Sequence, residues 1–110
     1  MSSHRFAAVN EINFDSEVLA AKQRYLVEFS APWCGACKML LPVLEGVATE
    51  LEGQLAVGVI DSDQSPTLSN RYSVSALPTL ILFENGKEIA RHRGTLSRTA
   101  LRELIGTKTS

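Results

Sequence analysis

Tyr25-Leu-Val-Glu-Phe-Ser30 runs directly into Ala31-Pro-Trp-Cys34-Gly-Ala-Cys37-Lys-Met-Leu40, and this junction decides the fold. Its first half is a nearly continuous apolar run, which reads as a strand buried on both faces of a sheet. Its second half opens a long helix, from about Cys34 to Glu52. Leu40, Leu44, Val47 and Leu51 recur there at three- and four-residue intervals, and Gly53 is a natural stop. Pro42 inside that helix removes one backbone donor and is expected to kink it.

Working outward, Arg5 to Val9 reads as a short first strand. Asn13 is placed to cap a helix whose Phe14, Val18 and Ala21 share one face. Leu55 to Ile60 is a second buried strand, and Ser65-Pro66 offers a cap and a first-turn proline for a short helix ending near Tyr72. Thr79 to Phe83 and Glu88 to Arg93 flank Asn85-Gly86, a dipeptide that tolerates the positive φ angles of a tight hairpin. Ser97 caps a last helix carrying Leu101, Leu104 and Ile105, with Leu96 placed to staple onto Leu101. The order βαβαβαββα, with helical crossovers first and a hairpin last, implies a mixed sheet covered on both faces. The class is α/β, and the absence of repeats or linker-like stretches makes residues 1–110 one domain.

Composition narrows the function. The 110 residues are 45% hydrophobic and 21% charged with a formal net charge of −1, which offers no long-range attraction for nucleic acid or an anionic membrane. No apolar run is long enough to span a bilayer, and Met1 to Phe14 lacks the apolar core of a secretory signal. The expected compartment is therefore the reducing cytoplasm, where two cysteines do not serve as a permanent staple.

Cys34 and Cys37, three residues apart at the start of a helix, share a face at about 5–6 Å between Cβ atoms. Small adjustments bring such a pair into disulfide range. The unpaired N–H groups and partial positive charge of the helix N-terminus stabilise a thiolate at Cys34 and lower its pKa. Cys37, one turn in, suits attack on the mixed disulfide that Cys34 forms. Two plainer readings stand beside this one. A structural disulfide would close too small a loop to constrain the unfolded chain strongly. A zinc site would need ligands beyond the pair, and His4 and His92 are not spaced as a second pair.

The segment Phe29-Ser-Ala-Pro-Trp-Cys-Gly-Ala-Cys-Lys-Met resembles the active-site region of thioredoxins. The likeness continues through Pro42, Asp63-Gln64-Ser65-Pro66, Tyr72, Ala76-Leu77-Pro78-Thr79, Glu84-Asn85-Gly86 and Gly94, in order along nearly the whole chain. It implies the thioredoxin fold, a five-stranded mixed sheet of strand order 1-3-2-4-5 with helices on both faces. It also implies a protein-disulfide reductase with a nucleophilic Cys34 and a resolving Cys37. Trp33, Gly35 and Ala36 would belong to the docking surface, and Pro78 would be a cis-proline facing the cysteines. The backbone of Leu77 would pair with an extended substrate segment, which Gly94 would let approach closely; alternatively, Trp33 is partial core and Gly94 a bend in the last strand.

Glu28 interrupts the apolar run of its strand. It either reaches an open sheet edge, pairs with a lysine or, as the resemblance implies, lies buried beneath the cysteines. There desolvation would raise its pKa and suit it to accept a proton from Cys37.

Four residues depart from the commonest form of that family: Ala36 for proline, Ser30 for tryptophan, Glu28 for aspartate and Val59 for a buried lysine. The expectation is a monomer that reduces disulfide-containing proteins and is re-reduced by a thioredoxin reductase, with no metal or organic cofactor. A net oxidant or isomerase, and a docking module whose thiols are incidental, are the competing functions.

Overall fold

A computed structural model of the chain describes residues 6–106, so the strand start at Arg5 and the candidate ligand His4 lie outside the described residues. Five strands form one sheet in the order β1-β3-β2-β4-β5. They are β1 (Ala7–Val9), β2 (Arg24–Ser30), β3 (Leu55–Asp61), β4 (Thr79–Glu84) and β5 (Lys87–Arg93). β3 pairs in parallel with both β1 and β2, whereas β2–β4 and β4–β5 are antiparallel. The α/β class, the mixed sheet and the strand order all match the expectations from sequence.

Central β2 is buried from Tyr25 to Phe29, and its side chains alternate between two cores. Leu26 joins Leu80 and Leu82 of β4 beneath α1 (Gly35–Glu50) and α3 (Arg98–Gly106), against Leu40, Leu44, Val47, Leu101 and Ile105. Tyr25, Val27 and Phe29 face the other way with Ile81 and Phe83, where a short wide helical turn (Asp15–Leu19) and α2 (Pro66–Arg71) supply Phe14, Val18 and Leu68. On that second face the rings of Phe14, Tyr72 and Phe83 meet mutually, with centroids 5.3 to 5.8 Å apart. Each such pair contributes roughly 0.5–1.5 kcal/mol beyond its burial, which fixes α2 against the sheet.

The boundaries follow local chemistry. α1 continues across Pro42, whose ring removes the N–H that the Lys38 carbonyl would meet. Asn85 and Gly86 both take positive φ, 53° and 79°, and so form the tight turn joining β4 to β5. Ser97 Oγ accepts the Ala100 N–H at 3.0 Å and caps α3 as expected. Two expected caps are corrected. The Asn13 side chain is held in the preceding turn, accepting from Asn10 N–H and donating to Ala8 O, and the helical turn it precedes closes with an i→i+5 bond from Ala20 N–H to Asp15 O. Ser65 stands at the N-cap of α2, but its hydroxyl makes no capping bond. The free α2 donor at Thr67 instead reaches Glu11 Oε2, at 2.7 Å. Among the described residues no helix is long and apolar enough to cross a membrane.

Candidate active site

β2 ends at Ser30, and the loop Ala31-Pro32-Trp33 delivers the chain to α1. Cys34 is the N-cap residue: its backbone is extended (φ −89°, ψ 105°), and its Sγ accepts the Cys37 N–H at 3.1 Å. The loop is tightened by the Cys34 N–H, which donates to Ala31 O at 3.1 Å. Cys34 and Cys37 form a disulfide with Cα atoms 5.3 Å apart, well inside the ordinary range. Cys34 keeps 6% of its surface exposed and Cys37 only 1%. The first turn of α1 holds no acidic side chain, so nothing there opposes negative charge on the capping sulfur.

The residues singled out from sequence gather around this pair. Leu77 packs against the cluster of Ala31, Cys34 and Cys37. The Leu77–Pro78 peptide bond is cis, as the resemblance implied. Leu77 lies just ahead of β4, and among the described residues no hydrogen bond engages its backbone. Gly94 holds the Pro78 carbonyl through its N–H at 2.8 Å. Its φ is +89°, and a Cβ built there would meet nothing within 4 Å. The glycine thus answers a backbone need, and the space before it is open. Gly35 and Ala36, the first two residues of α1, are exposed.

Trp33 is 68% exposed, which rules out the partial-core reading. Its indole N–H donates to Asp63 Oδ2 at 2.7 Å. Asp63 had no assigned role in the sequence, because thirty residues separate it from Trp33 and no local spacing links them. The same holds for Ser62 and Ser69, whose hydroxyls bond each other at 3.0 Å beside Trp33.

Glu28 lies on central β2, between Val59 of β3 and Leu80 of β4 in register, and is fully buried. The edge reading and the lysine reading both fail: neither carboxylate oxygen has a hydrogen-bond partner among the described residues. Burial alone pushes its pKa from 4.5 up to about 7. Alternation along β2 sets it on the face that carries Leu26 and α1. Val59 and Ser30, two of the departures noted above, line one groove of about 540 Å³ with Lys38 and Asp61.

His92 faces the Thr95 carbonyl at 3.2 Å, and among the described residues no group of three or more histidine, cysteine or acidic side chains could hold a metal ion.

A family model described as thioredoxin matches residues 5–107. The chain belongs to the thioredoxin family. It is 42% identical over 97 residues to a thioredoxin of Mycobacterium bovis, covering 87% of this chain and 84% of that one. Thioredoxin 1 of a Nostoc species is 33% identical over 99 residues, with 90% and 92% covered. A bifunctional thioredoxin reductase/thioredoxin of Mycobacterium leprae is 40% identical over 93 residues, 84% of this chain; the match spans only 20% of that longer protein. This thioredoxin-family chain is a thiol–disulfide oxidoreductase, with Cys34 and Cys37 at disulfide distance.

Proposed function

We infer that the chain reduces disulfides in other proteins through unequal roles for its two cysteines. In the reduced protein the Cys34 thiolate attacks one sulfur of a substrate disulfide. That bond breaks, a Cys34–substrate disulfide forms, and the substrate's other sulfur leaves as a thiolate. Cys37, having given up its proton, then attacks Cys34 Sγ, so that the Cys34–Cys37 bond forms and the second substrate thiol departs. Two electrons pass to the substrate, and a reductase returns them. The single observation carrying this reading is the asymmetry of the pair. Cys34 caps α1 with its sulfur on a backbone N–H and is the more exposed, whereas Cys37 is enclosed.

Glu28 serves as the proton acceptor for Cys37: a carboxyl with a pKa of about 7 is matched to proton transfer at neutral pH. Trp33, Gly35, Ala36, Leu77, Pro78 and Gly94 form the docking surface, and the unpaired backbone of Leu77 supports strand-like pairing with the substrate. The chain acts as a cytoplasmic monomer in cellular redox homeostasis and electron transport, partnered by a thioredoxin reductase and needing neither metal nor organic cofactor. Neither nucleic acid nor a membrane is among its partners, in keeping with the net charge of −1.

The test is a Cys37→Ser variant, which halts exchange at the first step. Substrate proteins should accumulate as reducible adducts on Cys34 and disappear with a further Cys34→Ser change. Recovery of no adducts, together with no reductase-coupled reduction of insulin by the unmodified chain, would overturn the reading.

A further inference from the structure

The groove of about 540 Å³ that Ser30 and Val59 line opens between α1 and the β1 side of the sheet. Strand register explains its apolar wall. Ala8 of β1 pairs with Val59 of β3, and Val59 with Glu28 of β2, so the three form one row across the face that carries α1. Glu28 is buried at the inner end of that row, whereas Val59 is only partly buried and Ala8 is exposed. Phe6, two residues before Ala8, and Leu41 of α1 complete the wall and also keep part of their surface open. Among the described residues nothing covers this apolar strip, and the groove has the size that takes small organic ligands.

The polar groups left over in the groove are donors. Its acceptors are largely spent within their own loops. The Asn10 side-chain oxygen accepts the N–H groups of Ile12 and Asn13, and Asp61 Oδ1 accepts those of Asp63 and Gln64. Among the described residues no partner engages the side-chain N–H groups of Asn10 and Gln64, the Ser30 hydroxyl or the Lys38 ammonium. Lys38 alone brings three donors and a full positive charge. Asp61 repels an anion placed beside it, so a negative head group belongs at Lys38, on the α1 wall. None of Trp33, Gly35, Ala36, Leu77, Pro78 and Gly94 lines the groove, so a ligand there leaves the proposed docking surface free.

We propose that this groove binds a small carboxylic acid with an apolar body, its carboxylate on Lys38 and its body along Phe6, Ala8, Leu41 and Val59. The site is separate from the cysteine pair, and its occupancy does not depend on the redox reading above.

The experiment titrates the oxidised full-length chain with phenylbutyrate and with the matching neutral alcohol, phenylbutanol, and follows the backbone amide chemical shifts. The two probes share an apolar body and differ in the charged head. The acid should bind about three- to fivefold more tightly than the alcohol, the upper range for one exposed charge pair. Lys38 is exposed on α1, so Lys38→Gln keeps the fold; it should weaken the acid alone and bring the ratio close to one. Ser30→Trp fills the groove and should abolish binding of both probes. Absence of binding to the parent, equal affinities for the two probes, or shifts centred away from Ala8, Lys38 and Val59 would each overturn the proposal. Binding that persists in a folded Ser30→Trp chain does the same. If that variant does not fold, the Lys38→Gln ratio and the map of shifts decide.

Discussion

Trp33 and Asp63 are joined by a hydrogen bond of 2.7 Å between the indole N–H and a carboxylate oxygen, which ties the residue before Cys34 to the loop that enters α2. Both partners are exposed, so the bond adds well under about 1 kcal/mol to folding stability. Its consequence is orientation. Replacing Asp63 with alanine should free the ring and slow exchange with protein disulfides several-fold, while the unfolding midpoint hardly moves. Because Trp33 is the chain's one tryptophan, fluorescence anisotropy reads ring mobility directly. Unchanged anisotropy in Asp63→Ala would show that packing, not this bond, sets the ring.

Glu28 gives a prediction about pH. Its folded pKa, about 7, lies above the unfolded value near 4.5, so ionisation costs more in the folded protein than in the unfolded one. The cost is absent below pH 4.5, grows as pH rises from there and levels off above pH 7. A shift of that size corresponds to about 3 kcal/mol. Glu28→Gln should therefore be more stable than the parent at pH 8 by about 1–3 kcal/mol and nearly equal to it at pH 4. Denaturant unfolding at the two values checks this. The same variant should resolve mixed disulfides more slowly near neutrality, and a parent rate that rises through pH 7 should lose that step.

Ala36 is the second residue of α1, where the backbone N–H has no helical acceptor. Proline is sterically acceptable there and removes one of the free N–H groups that give the N-terminus of α1 its partial positive charge, while the Cys37 N–H on the capping sulfur is kept. Loss of that dipole weakens the thiolate form by about 0.3–1 kcal/mol. For a two-electron couple this makes the potential more negative by roughly 6–20 mV. Equilibration of Ala36→Pro against glutathione buffers measures the shift; a potential equal to the parent's, or a less negative one, removes Ala36 as a tuning position.

Legibility in the sequence tracked how local each cause was. The apolar run from Tyr25 to Phe29, the helical spacing from Leu40 to Val47 and the Asn85-Gly86 turn each act within a few residues, and each produced its element. The Cys34-to-Cys37 spacing fixed the redox pair for the same reason. Cap residues were less legible. Asn13 and Ser65 occupy plausible positions, but competing partners in the folded chain, Ala8 and Glu11 among them, took over the bonds. Long-range pairings left no local signal at all. The pairing of Trp33 with Asp63, thirty residues apart, exists only because β3 and α2 bring their loop alongside the start of α1.

Gly94 separates a backbone requirement from a docking role. At φ +89° any L-residue is strained, so Gly94→Ala should lose about 1–2 kcal/mol of stability. In the free protein the added methyl group meets nothing within 4 Å, so no steric clash adds to that cost. The N–H that holds the Pro78 carbonyl is kept by alanine. If Gly94 only shapes the backbone, the variant at a temperature where it is fully folded should exchange disulfides at the parent rate. If a substrate segment passes over it, the methyl group occupies that path, and the rate with protein disulfides should fall tenfold or more while a small aromatic disulfide still reacts at close to the parent rate. The docking role predicts the second pattern. Parallel measurement of urea unfolding and of the two exchange rates distinguishes them, since strain alone lowers the unfolding midpoint without dividing large substrates from small ones.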